Sequence, residues 1–260
     1  MTQVGTLRSG GLLIVNADDF GRDQLTTDRI MDCVHAGSVS AASAMVYMAD
    51  SERASRLAPQ MEVGLHLNFT TRFTASDVPS RLLEHQERLA RYLLCHRLAP
   101  VVFHPGLARS FGLVVRAQLD EFRRLYGFDP VKIDGHHHMH LSTNVLLQRL
   151  LPAGALVRRN FHFARGEKGA FNRAYRRGVD RLLAKRHRLV DFFLALPPAG
   201  DRDRPRRVRE LAKRFVVEVE VHPVEQNEYD SLQVLNDTAD PTVAPVTSSA
   251  KVRSWIRGTP

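Results

Sequence analysis

Cysteine is nearly absent from this chain: Cys33 and Cys95 are the only two in 260 residues, and neither stands in a CxxC pair. That scarcity argues against a disulfide framework or a thiolate zinc site and makes a reducing, cytoplasmic compartment the expected location. Long apolar runs are missing as well. No stretch approaches the roughly 18 consecutive apolar residues of a membrane span, and Met1–Gly11 lacks the apolar segment of a signal peptide. Internal repeats are absent. So are a Gly-rich phosphate loop and a His-Arg-Asp loop, and Asp19-Phe20-Gly21 is therefore not read as part of a kinase.

What remains is the composition of a globular protein. A hydrophobic fraction of 43% with 25% charged residues excludes a disordered or fibrous chain. A single domain over 1–260 is expected, with its core over about 12–230 and a partly irregular segment over 231–260, where Pro241, Pro245 and a Ser-rich patch occur. The net charge of +9 is concentrated: residues 158–214 hold 15 Arg and 3 Lys against 6 acidic residues. Such a run is either a solvated pair of basic helices or a face for an anionic partner.

The apolar run Leu12–Asn16 reads as a buried parallel strand. Asp28 is expected to cap a helix carrying Ile30, Met31 and Val34 that stops at Gly37. Val63–Leu67 is a second strand. Val115, Leu119, Phe122 and Tyr126 stand at helical spacing before Gly127, with a strand expected over Val131–Asp134. Ala155–Arg158, Leu189–Leu196 (closed by Pro197-Pro198) and Phe215–Val221 complete the strands, with basic helices over 172–188 and 204–214. This alternation predicts an α/β fold with a largely parallel sheet.

Four polar clusters follow predicted strands: Asn16–Asp19, His66–Asn68, Asp134–His140 and His222-Pro223. In α/β barrels the strand C-termini converge on one mouth, so this coincidence points to a single site. Asp18-Asp19 could be a helix cap with a solvated neighbour. Alternatively one carboxylate binds a cation while the other takes a proton from water. His66 alone reads as a hydrogen-bonded core histidine; its company gives it weight. His136, His137, His138 and His140 are four of the chain's 12 histidines, and such tracts bind metals. Whether that segment is extended or helical, His136 and His140 share a side and His137 diverges. Asp134 is placed to orient an imidazole, and His222 to protonate a leaving amine. His104-Pro105 follows a poorer strand and ranks below.

Leu13–Gly21, Gly64–Asn68, Ile133–His140 and Val221–Pro223 together resemble, in order, the motifs of the YdjC/ChbG-like carbohydrate deacetylases, a group that includes hopanoid-associated relatives. The resemblance implies an irregular, TIM-like (β/α) barrel, one divalent metal ion, and removal of an acetyl group from an N-acetylated sugar or oligosaccharide. By position it implies Asp19, His66 and His136 as metal ligands and Asp18 as the base, with His222 or His140 protonating the departing amine. Asp134 and Asn16 would support these groups, and Asn68 and His138 would meet the substrate. Mg²⁺ and Zn²⁺ are the leading metals for such a mixed N/O set, and Mn²⁺ and Co²⁺ also suit it. Gly135 stands where the family commonly has Ser, and the Arg-rich stretch departs from the family pattern. Homo-oligomerisation is left open. Two other readings compete: a metal-dependent phosphoesterase, and a non-catalytic binder of nucleic acid or another anionic polymer through 158–214. The second is disfavoured because Phe161, Phe163, Phe171 and Tyr175 make a sparse stacking platform.

Overall fold

The strands alternate between two environments, and that alternation, broken once in the first strand, builds the site. The computed structural model describes residues 10–163, 168–196, 203–236 and 245–258. Among them, β1 (Leu12–Phe20), β2 (Ala41–Ala44), β3 (Glu62–Leu67), β4 (Lys132–Gly135), β5 (Leu156–Val157), β6 (Phe192–Ala195) and β7 (Val216–Val221) form one sheet in the order β5-β4-β3-β2-β1-β7-β6. Every pairing is parallel. The helices of the described residues are α1 (Gln24–His35), α2 (Ser51–Leu57), α3 (Ser80–Cys95), α4 (Ala108–Tyr126), α5 (Thr143–Leu147), α6 (Ala170–Ala184), α7 (Asp203–Ala212), α8 (Gln226–Asn236) and α9 (Ser249–Arg257). The sheet edges β5 and β6 approach through an isolated parallel bridge between Leu156 and Arg188. The His162 N–H also donates to the Phe193 carbonyl at 2.8 Å. The sheet thus curls into an irregular (β/α) barrel, the expected architecture.

Outward positions (Leu13, Val15 and Ala17 of β1, Val63, Leu65 and Leu67 of β3, Val217, Val219 and Val221 of β7) belong to the main core that the helices cover. Inward positions form layers. Leu12, Ile14, Ala41, Leu156 and Val216 make an apolar base with Val252 and Ile256 of α9. Helix α9 is fixed there by Arg253 and Arg257, each 3.2 Å from an oxygen of buried Glu62. Above that base the interior turns polar. Gly64 is required at this level, because a Cβ there would lie 2.7 Å from the Lys132 carbonyl oxygen.

Several local expectations change. Helix α1 is capped by Asp23, whose Oδ1 accepts from Thr26 N–H at 2.8 Å, and not by Asp28. Asp23 has the extended backbone that a cap needs, whereas Asp28 lies within the helix and pairs with Arg53 at 2.7 Å. Helix α4 begins at Ala108, well before Val115, and ends as expected at Gly127, whose φ of +77° permits the left-handed turn. The C-terminal segment contains helices α8 and α9; Pro197, Pro198 and Pro241 lie outside the described residues.

Candidate metal and catalytic centre

In a regular strand Asp18 and Asp19 would face opposite sides. Here the register of β1 against β2 shifts between Ala17 and Phe20, and Asp19 takes a positive φ of 68°. This bulge lets both carboxylates serve the barrel mouth while Phe20 returns to the outer core. A left-handed non-glycine residue costs on the order of 1–3 kcal/mol, and strain of this kind concentrates at functional sites.

Asp19, His66 and His136 each offer a donor atom within 4.8 Å of the others. Asp19 Oδ1 lies 3.4 Å from His66 Nε2 and 3.0 Å from His136 Nδ1. Its other oxygen accepts from Arg22 at 2.7 Å. His66 Nδ1 is 2.8 Å from Asp134 Oδ1, which fixes the ring and leaves Nε2 facing Asp19. This is the carboxylate–imidazole arrangement that orients metal-binding histidines.

Asp18 points into the same space, with Oδ2 3.8 Å from His66 Nε2. Arg158 grips it through two bonds, Nη1 to Oδ2 at 2.6 Å and Nη2 to Oδ1 at 2.7 Å. Asn16 Nδ2 adds a third bond to Oδ1 at 2.8 Å. The same guanidinium reaches Asp134 at 3.0 Å, Glu218 at 3.0 Å and Glu220 at 2.9 Å. Lys132 joins from below, 2.6 Å from Asp134 and 3.4 Å from Glu218. Arg158 is 1% exposed. It therefore belongs to the barrel interior and not to a solvated basic run. Arg159 and Arg188 are internal staples too: Arg159 pairs with Asp180 at 2.9 Å, and Arg188 donates to the carbonyls of Ile256 and Trp255 at 2.6 and 2.9 Å.

The histidine tract is neither extended nor regularly helical. His137 and His138 are both left-handed, at φ 53° and 56°, inside a tight 3₁₀ segment. His137 accordingly does not diverge: its ring stacks on His136 at 4.0 Å, and its Nδ1 meets the Thr70 hydroxyl at 3.1 Å. His138 packs edge-on against Phe161 at 4.7 Å, with Nε2 3.8 Å from Glu220. Burial and Arg158 push the His138 pKa down to about 3. His140 is fully buried, with Nε2 2.9 Å from the Arg158 carbonyl oxygen, and burial lowers its pKa to about 4. A Cβ on residue 135 would lie 3.1 Å from His140, so glycine here makes room for that ring.

Asn68 is spent within its own loop. Its Oδ1 accepts from the N–H groups of Thr70 and Thr71 at 3.1 and 2.9 Å, and its Nδ2 donates to the Thr71 carbonyl at 2.6 Å. His222 takes up the far side of the mouth, where it forms a cluster with Asp18 and Glu220. Its N–H donates to Glu228 at 2.6 Å, and its Nδ1 lies 3.3 Å from the same oxygen. Burial would lower the His222 pKa, but Glu228, Asp18 and Glu220 together push it up to about 9. His104 packs edge-on against Tyr92 at 4.8 Å, apart from these groups.

The residues present fit a divalent cation. Asp19 Oδ1 and His66 Nε2 are buried without a hydrogen-bond partner. The surrounding shifts report a local shortage of positive charge. Burial would lower the His66 pKa, yet Asp18, Asp134 and Asp19 push it up to about 10. Burial and Asp18 push Glu220 up to about 8. A cation between Asp19 and the two imidazoles would supply that charge and satisfy both orphaned atoms. Reading the sequence passed over Arg158, Lys132, Glu218, Glu220 and Glu228. The Glu–Val alternation over Glu218–Val221 was the available signal for two of them.

Fold and site thus define an irregular α/β barrel with a buried carboxylate–imidazole centre at the C-terminal ends of its strands. The model of the YdjC-like protein family matches residues 12–256. The chain belongs to that family. A carbohydrate deacetylase from Geobacillus stearothermophilus is 34% identical over 137 residues, 51% of each chain. A chitooligosaccharide deacetylase from Serratia marcescens is 32% identical over 140 residues, 52% of each. The chain thus spans about half the length of the curated relatives it matches. The crystal structure of a candidate cellobiose-phosphate cleavage protein from Enterococcus faecalis V583 shares the fold, with a TM-score of 0.60 at 18% identity over 96% of both chains.

Proposed function

We propose that this chain is a metal-dependent carbohydrate N-deacetylase that hydrolyses the acetamide of an N-acetylated sugar or oligosaccharide. The observation that carries the reading is the convergence of orphaned Asp19 and His66 atoms with His136, beside an arginine-held Asp18. The deacetylase names of the relatives support the substrate class.

In this reading Asp19, His66 and His136 hold one divalent ion. When bound, the ion acidifies water and polarises the acetamide carbonyl. Asp18 is the general base. Burial alone would raise its pKa, but Arg158 and His66 outweigh burial and hold the carboxyl below its usual range. So acidic a carboxyl is a weak base, and it needs a water made acidic by the metal. Arg158 and Asn16 together occupy Oδ1 of Asp18, while Oδ2 accepts only from Arg158 and keeps a lone pair for a proton. Asp134 keeps His66 in the tautomer that presents Nε2. His222, charged over a wide pH range and oriented by Glu228, delivers a proton to the departing amine. Glu220, held by Arg158 beside it, offers a polar contact to the sugar. His138, set among aromatic rings, lines the wall, while His140 and Asn68 fix the backbone of the two loops.

His136→Ala tests the ligand set: metal content by elemental analysis should fall along with acetate release from N-acetylglucosamine oligomers. Unchanged stoichiometry would remove His136 from it.

A further inference from the structure

At the opposite end of the barrel, between α5 and α6, lies a cavity of about 320 Å³. Arg149, Lys185, Arg186 and His187 line it above Leu151 and Leu182, and no carboxylate is among its lining residues. These residues precede β5 and β6, whereas the residues of the proposed catalytic centre lie at or just beyond the C-terminal ends of their strands, so the two sites are separate. The charge here is uncompensated. Among the described residues Arg149, Lys185 and Arg186 form no ion pair, and Arg186 Nη1 and His187 Nδ1 are buried without a hydrogen-bond partner. A buried guanidinium N–H calls for an acceptor. Lys185, exposed at the C-terminus of α6, complements the helix dipole, but that role gives the buried Nη1 of Arg186 no acceptor. Arg149 is held at φ 54°, a conformation that non-glycine residues adopt where the surroundings impose it. The apolar part of the wall continues outward through Leu182, which is partly exposed, and the neighbouring Leu147 is exposed as well.

We infer that this cavity binds a phosphate group carried on an apolar stem, the phosphate on Arg149, Lys185 and Arg186 and the stem along Leu151 and Leu182. Arginine and lysine together suit a tetrahedral anion, and the volume lies within the range of small-molecule sites. The chemistry is shared by a soluble alkyl phosphate and by an acidic phospholipid.

Calorimetric titration of the full chain with n-octyl phosphate and with inorganic phosphate tests this. Octyl phosphate should bind more tightly than inorganic phosphate. Arg186→Gln should weaken octyl phosphate about tenfold or more, the loss of one charge-assisted contact. Because Arg186 is partly buried, Arg149→Gln and Lys185→Gln, at exposed positions, should give the same direction in a chain that remains folded. Leu182→Ser should weaken octyl phosphate and leave inorganic phosphate unchanged. Flotation with phosphatidylcholine vesicles containing phosphatidic acid then identifies the source: Arg186-dependent binding indicates a lipid, and its absence alongside octyl phosphate binding indicates a soluble ester. No binding of octyl phosphate, or binding that ignores all three cationic substitutions, would overturn the assignment.

Discussion

Arg158 and Asp18, 140 positions apart in sequence, meet through two near-parallel hydrogen bonds of 2.6 and 2.7 Å in the buried interior of the barrel. The contact compensates several charges at once, since the same guanidinium also reaches Asp134, Glu218 and Glu220. Removing the cation would leave carboxylates stranded in a poorly solvated space. Arg158→Met should therefore destabilise the fold by about 3–5 kcal/mol in denaturant titration. Arg158→Lys should recover only part of that, because a point charge cannot reproduce the paired bonds. A loss below about 1 kcal/mol for the methionine variant, the worth of an exposed pair, would contradict the structural role.

If Asp18 takes the proton from water, Asp18→Asn should bind metal normally and lose turnover by about 10²–10⁴-fold. The amide keeps the shape and its oxygen can still accept from Arg158 and Asn16, while its NH2 loses the second bond to Arg158; Asp18 lies outside the ligand set Asp19, His66 and His136, so metal binding is preserved. Steady-state acetate release, read beside metal stoichiometry, separates the base from a ligand. Near-normal turnover would take Asp18 out of that role.

The pH dependence follows from His222. Its pKa in the folded chain is raised from 6.5 to about 9. The protonated form is thus favoured by folding. Its contribution to stability is complete below 6.5 and is lost as pH rises through about 9. A reaction that uses the charged imidazole as acid should decline over the same upper limb. Glu228→Gln should move that limb to lower pH in a kcat profile, because Glu228 is the leading group that raises the His222 pKa. An unmoved limb would mean that another group donates the proton.

Sequence patterning exposed much of this arrangement, and the gaps have physical causes. Asn16–Asp19, His66, His136 and His222 were legible because each polar group ends an apolar run, the one place where a buried strand can present it. The register shift that turns Asp19 inward was not legible, since nothing in Asp-Asp-Phe-Gly distinguishes a bulge from a regular strand end. Nor was the left-handed pair His137-His138, where tertiary packing overrides local preference. Arg158 was hidden by its company: in a run of 15 arginines, composition cannot mark the one that the barrel swallows. Strand β2, Ala-Ala-Ser-Ala, carries too little apolar contrast to announce a strand, although its Ser43 hydroxyl bonds to Asp134 at 2.5 Å.

Gly64 tests the layered interior independently of activity. A methyl group there would fall 2.7 Å from the Lys132 carbonyl oxygen and 2.9 Å from its Cβ. Gly64→Ala should cost about 1–3 kcal/mol through overpacking, measurable as a lowered denaturation midpoint. A neutral effect would show that the β3–β4 spacing at this level is looser than described.

In the proposed function Asp19, His66 and His136 hold a metal ion that this chain uses to release acetate from an N-acetylated sugar. The most direct measurement is acetate release from a panel of N-acetylated mono- and oligosaccharides by chelator-treated chain, before and after return of Zn²⁺, Mg²⁺, Mn²⁺ or Co²⁺, with phosphate release from generic phosphoesters assayed in parallel. Acetate release should disappear on chelation, return with at least one of these ions, and stay absent in His66→Ala and His136→Ala. Acetate release that survives chelation, or phosphate release with no acetate under any metal, would contradict it.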